Sequence, residues 1–333
     1  MSNRFAIGRE WTRAELNADG QQSVSEGMAT PEVETAVAAW YDRNTWPQAE
    51  VMQTGAGEDE AAWFKRSLEN YLEQMETFTQ LLLRVMEMCL GLDAGWLAER
   101  CTEHYGKLDA IHYPPIVPMD RLSDTDAETV KMPSDETVKG DSGRPRWAKM
   151  LDTRVSAHVD DSMLTILAHD HSATGSEGLQ MLVPPRPGGV WLDIPTVEGA
   201  LVVQLGAMMQ RWTADVWRAT PHRVLCPPAG VVSDRLTLGF FFRPNCDTNL
   251  TLPQSATIRS VVGNSKRGSE NDATDLMGAE KAVAHPVEIV EYSQISAAQF
   301  IALPKGERLS TTVTPEGAYI YTPLSAQRIT GPE

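Results

Sequence analysis

Residues 156–167 read SAHVDDSMLTIL. Asp161 and Ser162 separate two segments that favour a pleated surface, RVSAHVD before them and MLTILAHD after. Side chains at i and i+2 of a strand share a face, so His158 and Asp160 project together. Outward from this stretch, short β segments alternate with turns: RVSAHVD (154–160), MLTILAHD (163–170), GLQMLV (178–183), VWLDI (190–194), ALVVQL (200–205), HRVLC (222–226) and RLTLGFFFR (235–243). Gly, Pro, Ser and Asp punctuate them. Short strands at near-regular spacing predict a sandwich or jelly roll and not a parallel βαβ sheet. No GxGxxG follows a strand, and there is no P-loop and no GxSxG elbow.

Upstream, KLDAIHYPP (107–115) reads as a strand running into a proline stop. Residues 118–148 are rich in Asp, Glu, Ser, Thr, Lys, Gly and Pro and read as a surface insertion that could fold over a site as a lid. Over residues 58–90, Trp63, Leu68, Tyr71, Leu72, Met75, Phe78, Leu81 and Leu82 recur mostly at three- and four-residue steps, which predicts a long packing helix ended by Gly91. A shorter helix is expected in AGWLAERCTEH (94–104), another from Pro31 in PEVETAVAAWYDR, and a strand and short helix in VEIVEYSQISAAQFIAL (287–303). The polar residues 1–30 read as a loose arm, and the polar stretch 253–283 as a loop. The expected organisation is an arm (1–30), a helical part (31–105), a β core (106–302, with the insertion 118–148) and a tail (303–333).

A second histidine, His222, opens a strand in ATPHRVLCPP (219–228). Two His and one carboxylate bind one face of Fe(II) and leave positions open, whereas a closed zinc site wants a fourth protein ligand. HxD alone is a weak signal, because a strand histidine is more often a satisfied structural side chain. Arg235 adds weight. It shares a strand face with Thr237 in a segment apolar enough to be buried, and a buried arginine needs an anionic partner. Its planar fork matches a carboxylate, and the hydroxyl adds one more hydrogen bond.

The run HVDDSMLTIL…GLQMLV…GVWLDIP…GALVVQLGAMMQRWT…ATPHRV…DRLTLGFFFRPN resembles the isopenicillin-N-synthase-like 2-oxoglutarate/iron(II) dioxygenases over roughly residues 105–250, with echoes in RNTWP (43–47) and the long helix. The resemblance implies a mainly β, α+β fold: a distorted double-stranded β-helix, or jelly roll, flanked by helices. It implies His158, Asp160 and His222 as iron ligands and catalytic centre, Arg235 and Thr237 as the Arg-x-Ser co-substrate anchor, and Tyr113 in IHYPP as a further contact to the oxoglutarate carboxylate. Fe(II), 2-oxoglutarate and O2 follow as cofactor and co-substrates. A small molecule follows as substrate, its C–H bond hydroxylated or closed into a ring in specialised metabolism. Three departures stand out. No N-terminal strand motif of the IPVIDLS type is visible, so a shorter sheet or a different substrate access is expected. Thr237 replaces the usual serine, and Ala207 stands where an aspartate usually follows glycine in a turn.

The other histidines (His104, His112, His169, His171 and His285) are not expected as ligands, since the triad is complete without them. Arg43 is a candidate contact for an anionic substrate. Two alternatives share the fold: a non-catalytic ligand-binding member, and an iron oxidase that does not use oxoglutarate. A cupin-like zinc or nickel protein is the third, and the Arg235/Thr237 pair weighs against it.

Composition narrows the setting. With 42 % hydrophobic and 22 % charged residues the 333-residue chain can bury a core, and its net charge of −16 argues against nucleic-acid or anionic-membrane binding. Four cysteines without a CxxC pair suit reduced thiols. The first twenty residues have no apolar signal core and no run is long enough to span a bilayer. A cytoplasmic monomer is the expectation.

Overall fold

The computed structural model describes residues 3–9, 31, 33, 44–47, 58–115, 153–170, 178–185, 188–227, 234–253, 292, 294–303, 308–309, 311–313 and 319–321. The insertion 118–148, Arg43, His171, His285, residues 10–30 of the expected arm and the 254–283 loop lie outside them.

Two antiparallel sheets form the core. In chain order the elements are β1 (Asn3–Gly8), α1 (Glu58–Leu90), a 3-10 turn (Ala98–Cys101), β2 (Lys107–Tyr113), β3 (Thr153–His158), β4 (Leu164–His169), β5 (Leu179–Val183), β6 (Val190–Asp193), β7 (Val202–Leu205), α2 (Ala207–Trp212), β8 (His222–Leu225), β9 (Arg235–Phe242), α3 (Ala297–Ala302), β10 (Thr311–Val313) and β11 (Tyr319–Tyr321). The major sheet runs β1-β2-β9-β4-β7, the minor sheet β3-β8-β5-β6, and β10 pairs with β11 alone. Five of the eight neighbouring pairs join strands that are not consecutive in sequence, the crossing pattern of the expected jelly roll.

Strand β9 shows how one sequence serves both faces. Leu238, Phe240 and Phe242 point to one side and pack with Leu164, Ile166, Leu108 and the α1 residues Leu68, Leu72, Met75, Leu83, Met86 and Leu90. Arg235, Thr237 and Phe241 point to the other side, into the barrel. A second, smaller cluster of Leu167, Leu179, Met181 and Val224 fills the space between the sheets.

α1 has the predicted bounds, but its buried stripe is narrower than the spacing suggests. Trp63 and Leu81 are 64 % and 58 % exposed and lie off it. The helix ends in a Schellman motif: Gly91 takes φ +63°, Leu92 N–H donates to the Glu87 carbonyl and Gly91 N–H to that of Met88. The AGWLAERCTEH segment is not a regular helix. The buried Glu87 carboxylate accepts the N–H groups of Gly95, Leu97 and Ala98, which holds the chain in a tight turn around it.

An N-terminal strand is present after all. Asn3–Gly8 pairs with Lys107–His112 of β2, so the sheet is not shortened at that edge and residues 3–8 are not a loose arm. NRFAIG lacks the family spelling, but Phe5 and Ile7 alternate correctly: Phe5 stacks against Trp46 and Phe64, and Ile7 is buried. Asn44 of RNTWP clamps the strand end, accepting from Gly8 N–H and donating to the Gly8 carbonyl. Among the described residues no helix is long and apolar enough to cross a membrane.

Candidate metal and anion site

His158 ends β3 and His222 opens β8, and the register pairs them directly across the minor sheet. Side chains opposite one another in a pair share a face, so the imidazoles converge, with ring centroids 4.3 Å apart. Asp160 follows in the loop from β3 to β4, and its Oδ1 lies 3.6 Å from His158 Nε2 and 3.7 Å from His222 Nε2. One ligand atom from each of the three lies within 4.8 Å of the others.

The surroundings set which atoms face the centre. His158 Nδ1 is 2.8 Å from the Ser156 carbonyl, and His222 Nδ1 is 3.0 Å from that of Thr220. A carbonyl only accepts, so both Nδ1 atoms carry a hydrogen, and each ring in its neutral form turns an Nε2 lone pair inward. Burial holds the His222 imidazole below its ordinary pKa, which favours that neutral form. Asp160 is held through its other oxygen: Oδ2 accepts from the Thr165 hydroxyl and from the Gln204 amide nitrogen, each at 2.6 Å. Burial pushes the Asp160 carboxyl up, but the His222 and His158 rings and the Thr165 hydroxyl outweigh it and hold it below the usual carboxylate range. Three electron-rich atoms therefore converge, an arrangement that a divalent cation satisfies. Two nitrogens and one oxygen, with no fourth protein ligand in the cluster among the described residues, suit an open, six-coordinate centre better than structural zinc.

The Asp160 loop is fastened by α2. The first N–H groups of a helix lack intrahelical partners. Here Ala207 N–H donates to the Asp160 carbonyl at 2.7 Å and Met208 N–H to the Ser162 carbonyl at 3.2 Å. A Cβ on Gly206 would sit 2.0 Å from the Ser162 oxygen, so only glycine lets the helix come this close. Ala207, expected in a turn, is the first residue of this helix and is buried. The stretch leading to His222 is pinned too: Gln210 accepts from Ala219 N–H and donates to Asp215.

On the major sheet, Tyr113 of β2 and Arg235 of β9 are direct register partners, and the Arg235 guanidinium lies 5.0 Å from the Tyr113 ring centroid. Arg235, Thr237 and Tyr113 are all at least 95 % buried. One cavity of about 60 Å³ is lined by His158, Asp160 and His222 together with Tyr113, Arg235 and Thr237. The six candidate residues from the sequence thus meet in one place. Ile111, Val155, Leu167, Leu179, Val224 and Phe241 form the apolar part of the wall, and Arg4 also lines it.

One residue of this site is not among the sequence candidates. His169, which reads as the start of a turn, ends β4 and lies opposite Thr237. Its Nδ1 is 3.0 Å from Arg235 Nη2 and 3.2 Å from Thr237 Oγ1. The period-two rule already puts His169 on the face of Thr165 and Leu167; what the sequence withholds is the β4–β9 pairing. His112, by contrast, points outward and bonds to Asp234 at 2.6 Å, and His104 sits near Glu76 at 3.3 Å.

The chain is similar to known proteins over much of this core. Residues 141–244 match the model of the 2OG-Fe(II) oxygenase superfamily. The chain is 30 % identical over 183 residues to a probable iron/ascorbate oxidoreductase of Dictyostelium discoideum, covering 55 % of this chain and 44 % of that one. It is 26 % identical over 227 residues to the validamycin A dioxygenase of Streptomyces hygroscopicus subsp. limoneus, covering 68 % and 50 %. The match thus spans about half the length of these two relatives. To the 2-oxoglutarate-Fe(II) type oxidoreductase hxnY of Emericella nidulans it is 25 % identical, covering 86 % and 76 %. Among solved structures, a full-length Neurospora crassa protein in complex with alpha-KG superposes with a TM-score of 0.52 at 19 % identity, covering 90 % of this chain and 63 % of that one. A likeness at that identity speaks for the fold.

Proposed function

We propose that the chain, which matches the model of the 2OG-Fe(II) oxygenase superfamily over residues 141–244, is an iron(II)- and 2-oxoglutarate-dependent oxygenase of a small molecule, with His158, Asp160 and His222 as the metal ligands. The observation that carries the reading is one cavity holding both an open His/Asp/His cluster and the buried Arg235/Thr237 pair.

Iron(II) with 2-oxoglutarate would supply the oxidising power: substrate R–H, O2 and 2-oxoglutarate give R–OH, succinate and CO2. The chain's own residues bind and shield. His158 and His222 offer Nε2 and Asp160 offers Oδ1, while Thr165 and Gln204 hold the second carboxylate oxygen so that Asp160 cannot swing. Arg235, Thr237 and Tyr113 would hold the far carboxylate of the co-substrate, the guanidinium through paired N–H donors. The apolar wall keeps water away from the reacting atoms.

The substrate reading is coarser. A small, specialised metabolite fits a relative named for validamycin A, and hydroxylation stands slightly ahead of ring closure or desaturation. The test has two parts. Purified protein with Fe(II) and 2-oxoglutarate under anaerobic conditions should develop the visible charge-transfer band of the chelate, and His158→Ala should abolish it; an unchanged band in the variant would remove the ligand assignment. In air, mass spectrometry of a metabolite extract should show an added oxygen atom for hydroxylation or a loss of two hydrogens for desaturation or ring closure.

A further inference from the structure

We propose, on the reading of the site given above, that His169 is a positioning and selectivity residue for the distal carboxylate of the co-substrate.

Its hydrogen bonds define its state. The Arg235 guanidinium can only donate, so the 3.0 Å contact from Nη2 makes His169 Nδ1 an acceptor. The Thr237 hydroxyl, 3.2 Å away, then finds the same lone pair. A neutral ring with a bare Nδ1 carries its proton on Nε2. Burial first, and then the Arg235 charge, hold the imidazole down to about 4, which keeps it neutral at ordinary pH.

Two consequences follow. First, His169 holds Arg235 and Thr237 while no anion is bound. The fork and the hydroxyl are kept on the cavity side, so less order has to be imposed when a carboxylate arrives. Second, the Nε2–H is buried and has no hydrogen-bond partner among the described residues, in a ring that lines the cavity. A buried donor without an acceptor is unfavourable, and a carboxylate oxygen is the acceptor that this pocket is built to receive. The three residues come from two adjacent strands: His169 of β4 lies opposite Thr237 of β9, and Arg235 is one step along the same face. A ring at that place is a fixed wall and limits how long a 2-oxo diacid can be.

The test is an anaerobic titration of the Fe(II)-loaded full chain with 2-oxoglutarate and with 2-oxoadipate, one methylene longer, read by the charge-transfer band. His169→Ala should weaken 2-oxoglutarate binding by roughly ten- to thirtyfold, as expected for losing hydrogen bonds to charged groups. The loss should be smaller for 2-oxoadipate, because the wall is gone. His169→Gln, whose amide can both accept and donate, should recover to within about threefold of the wild type. In turnover the alanine variant should raise the 2-oxoglutarate KM while kcat holds. Wild-type affinity for both acids in His169→Ala would overturn the proposal. So would a glutamine variant as weak as alanine with an unchanged melting temperature. A wild-type protein that binds iron but shows no band with 2-oxoglutarate would overturn the parent reading, and this one with it.

Discussion

The two halves of the site are built by different means. On the minor sheet, His158 and His222 are aimed by backbone carbonyls, those of Ser156 and Thr220, two residues before each ring. Their orientation is nearly local. On the major sheet, Arg235 and Thr237 are aimed by side chains from other strands: His169, and the ring of Tyr113. Asp160 stands between the two modes, since its carboxylate is held by Thr165 and Gln204 while its backbone is held by α2. The difference teaches something about robustness. A metal side fixed by main chain should tolerate changes elsewhere, whereas an anion side fixed by side chains should be tunable one residue at a time.

The largest way to break that contrast is to remove the anion side outright. Arg235→Ala should raise the 2-oxoglutarate requirement by about a hundredfold, the upper range for losing a charge-assisted pair of hydrogen bonds. Iron binding, measured by metal analysis after gel filtration, should stay near wild type; co-loss of the metal would show that the two halves are one unit. A smaller effect is expected at the junction. Thr165→Val removes the hydroxyl that holds Asp160 Oδ2, and iron affinity should fall about tenfold, at the low end for an outer partner of a ligand. Competition with a chelator would measure it, and an unchanged affinity would mean that Gln204 alone suffices.

The smallest effect is a pH dependence that isolates His169. Its pKa in the folded chain is about 4, below the 6.5 of the unfolded residue. The unfolded chain therefore binds the proton first as pH falls. The stability that His169 contributes is complete above about pH 6.5 and is lost as pH falls from there to about 4. The difference in melting temperature between wild type and His169→Gln should be flat above pH 6.5 and should shift against the wild type below it. A difference with no pH dependence in that window would mean that the ring is not held neutral as described.

Much of this is legible in the residues. The strand series is readable because short apolar runs with Gly, Pro, Ser and Asp between them have few other uses. His158, Asp160, His222, Arg235, Thr237 and Tyr113 are readable because their chemistry is specific and the family resemblance orders it. Among the features that differ from their sequence reading, three show the physical reason most plainly. β1 reads as a loose arm, since a six-residue edge strand beginning Asn-Arg carries little apolar signal and depends on Asn44 and Trp46 from far along the chain. The 94–104 segment reads as a helix, because its propensities favour one, but buried Glu87 captures its N–H groups. His169 gives no signal of its role because its partners are 66 and 68 residues away.

What the sequence determined by itself was local and periodic: which segments are strands, which side chains share a face with His158 or Arg235, and the set of atoms able to hold a divalent metal and a carboxylate. What only the tertiary structure decided was pairing. The register of β3 on β8 brings the two imidazoles together, and that of β4 on β9 sets His169 against Arg235 and Thr237. Alternation along a strand is fixed by bond geometry, but the choice of neighbour is fixed by which buried faces fit across the whole core, and no window of the chain contains that information.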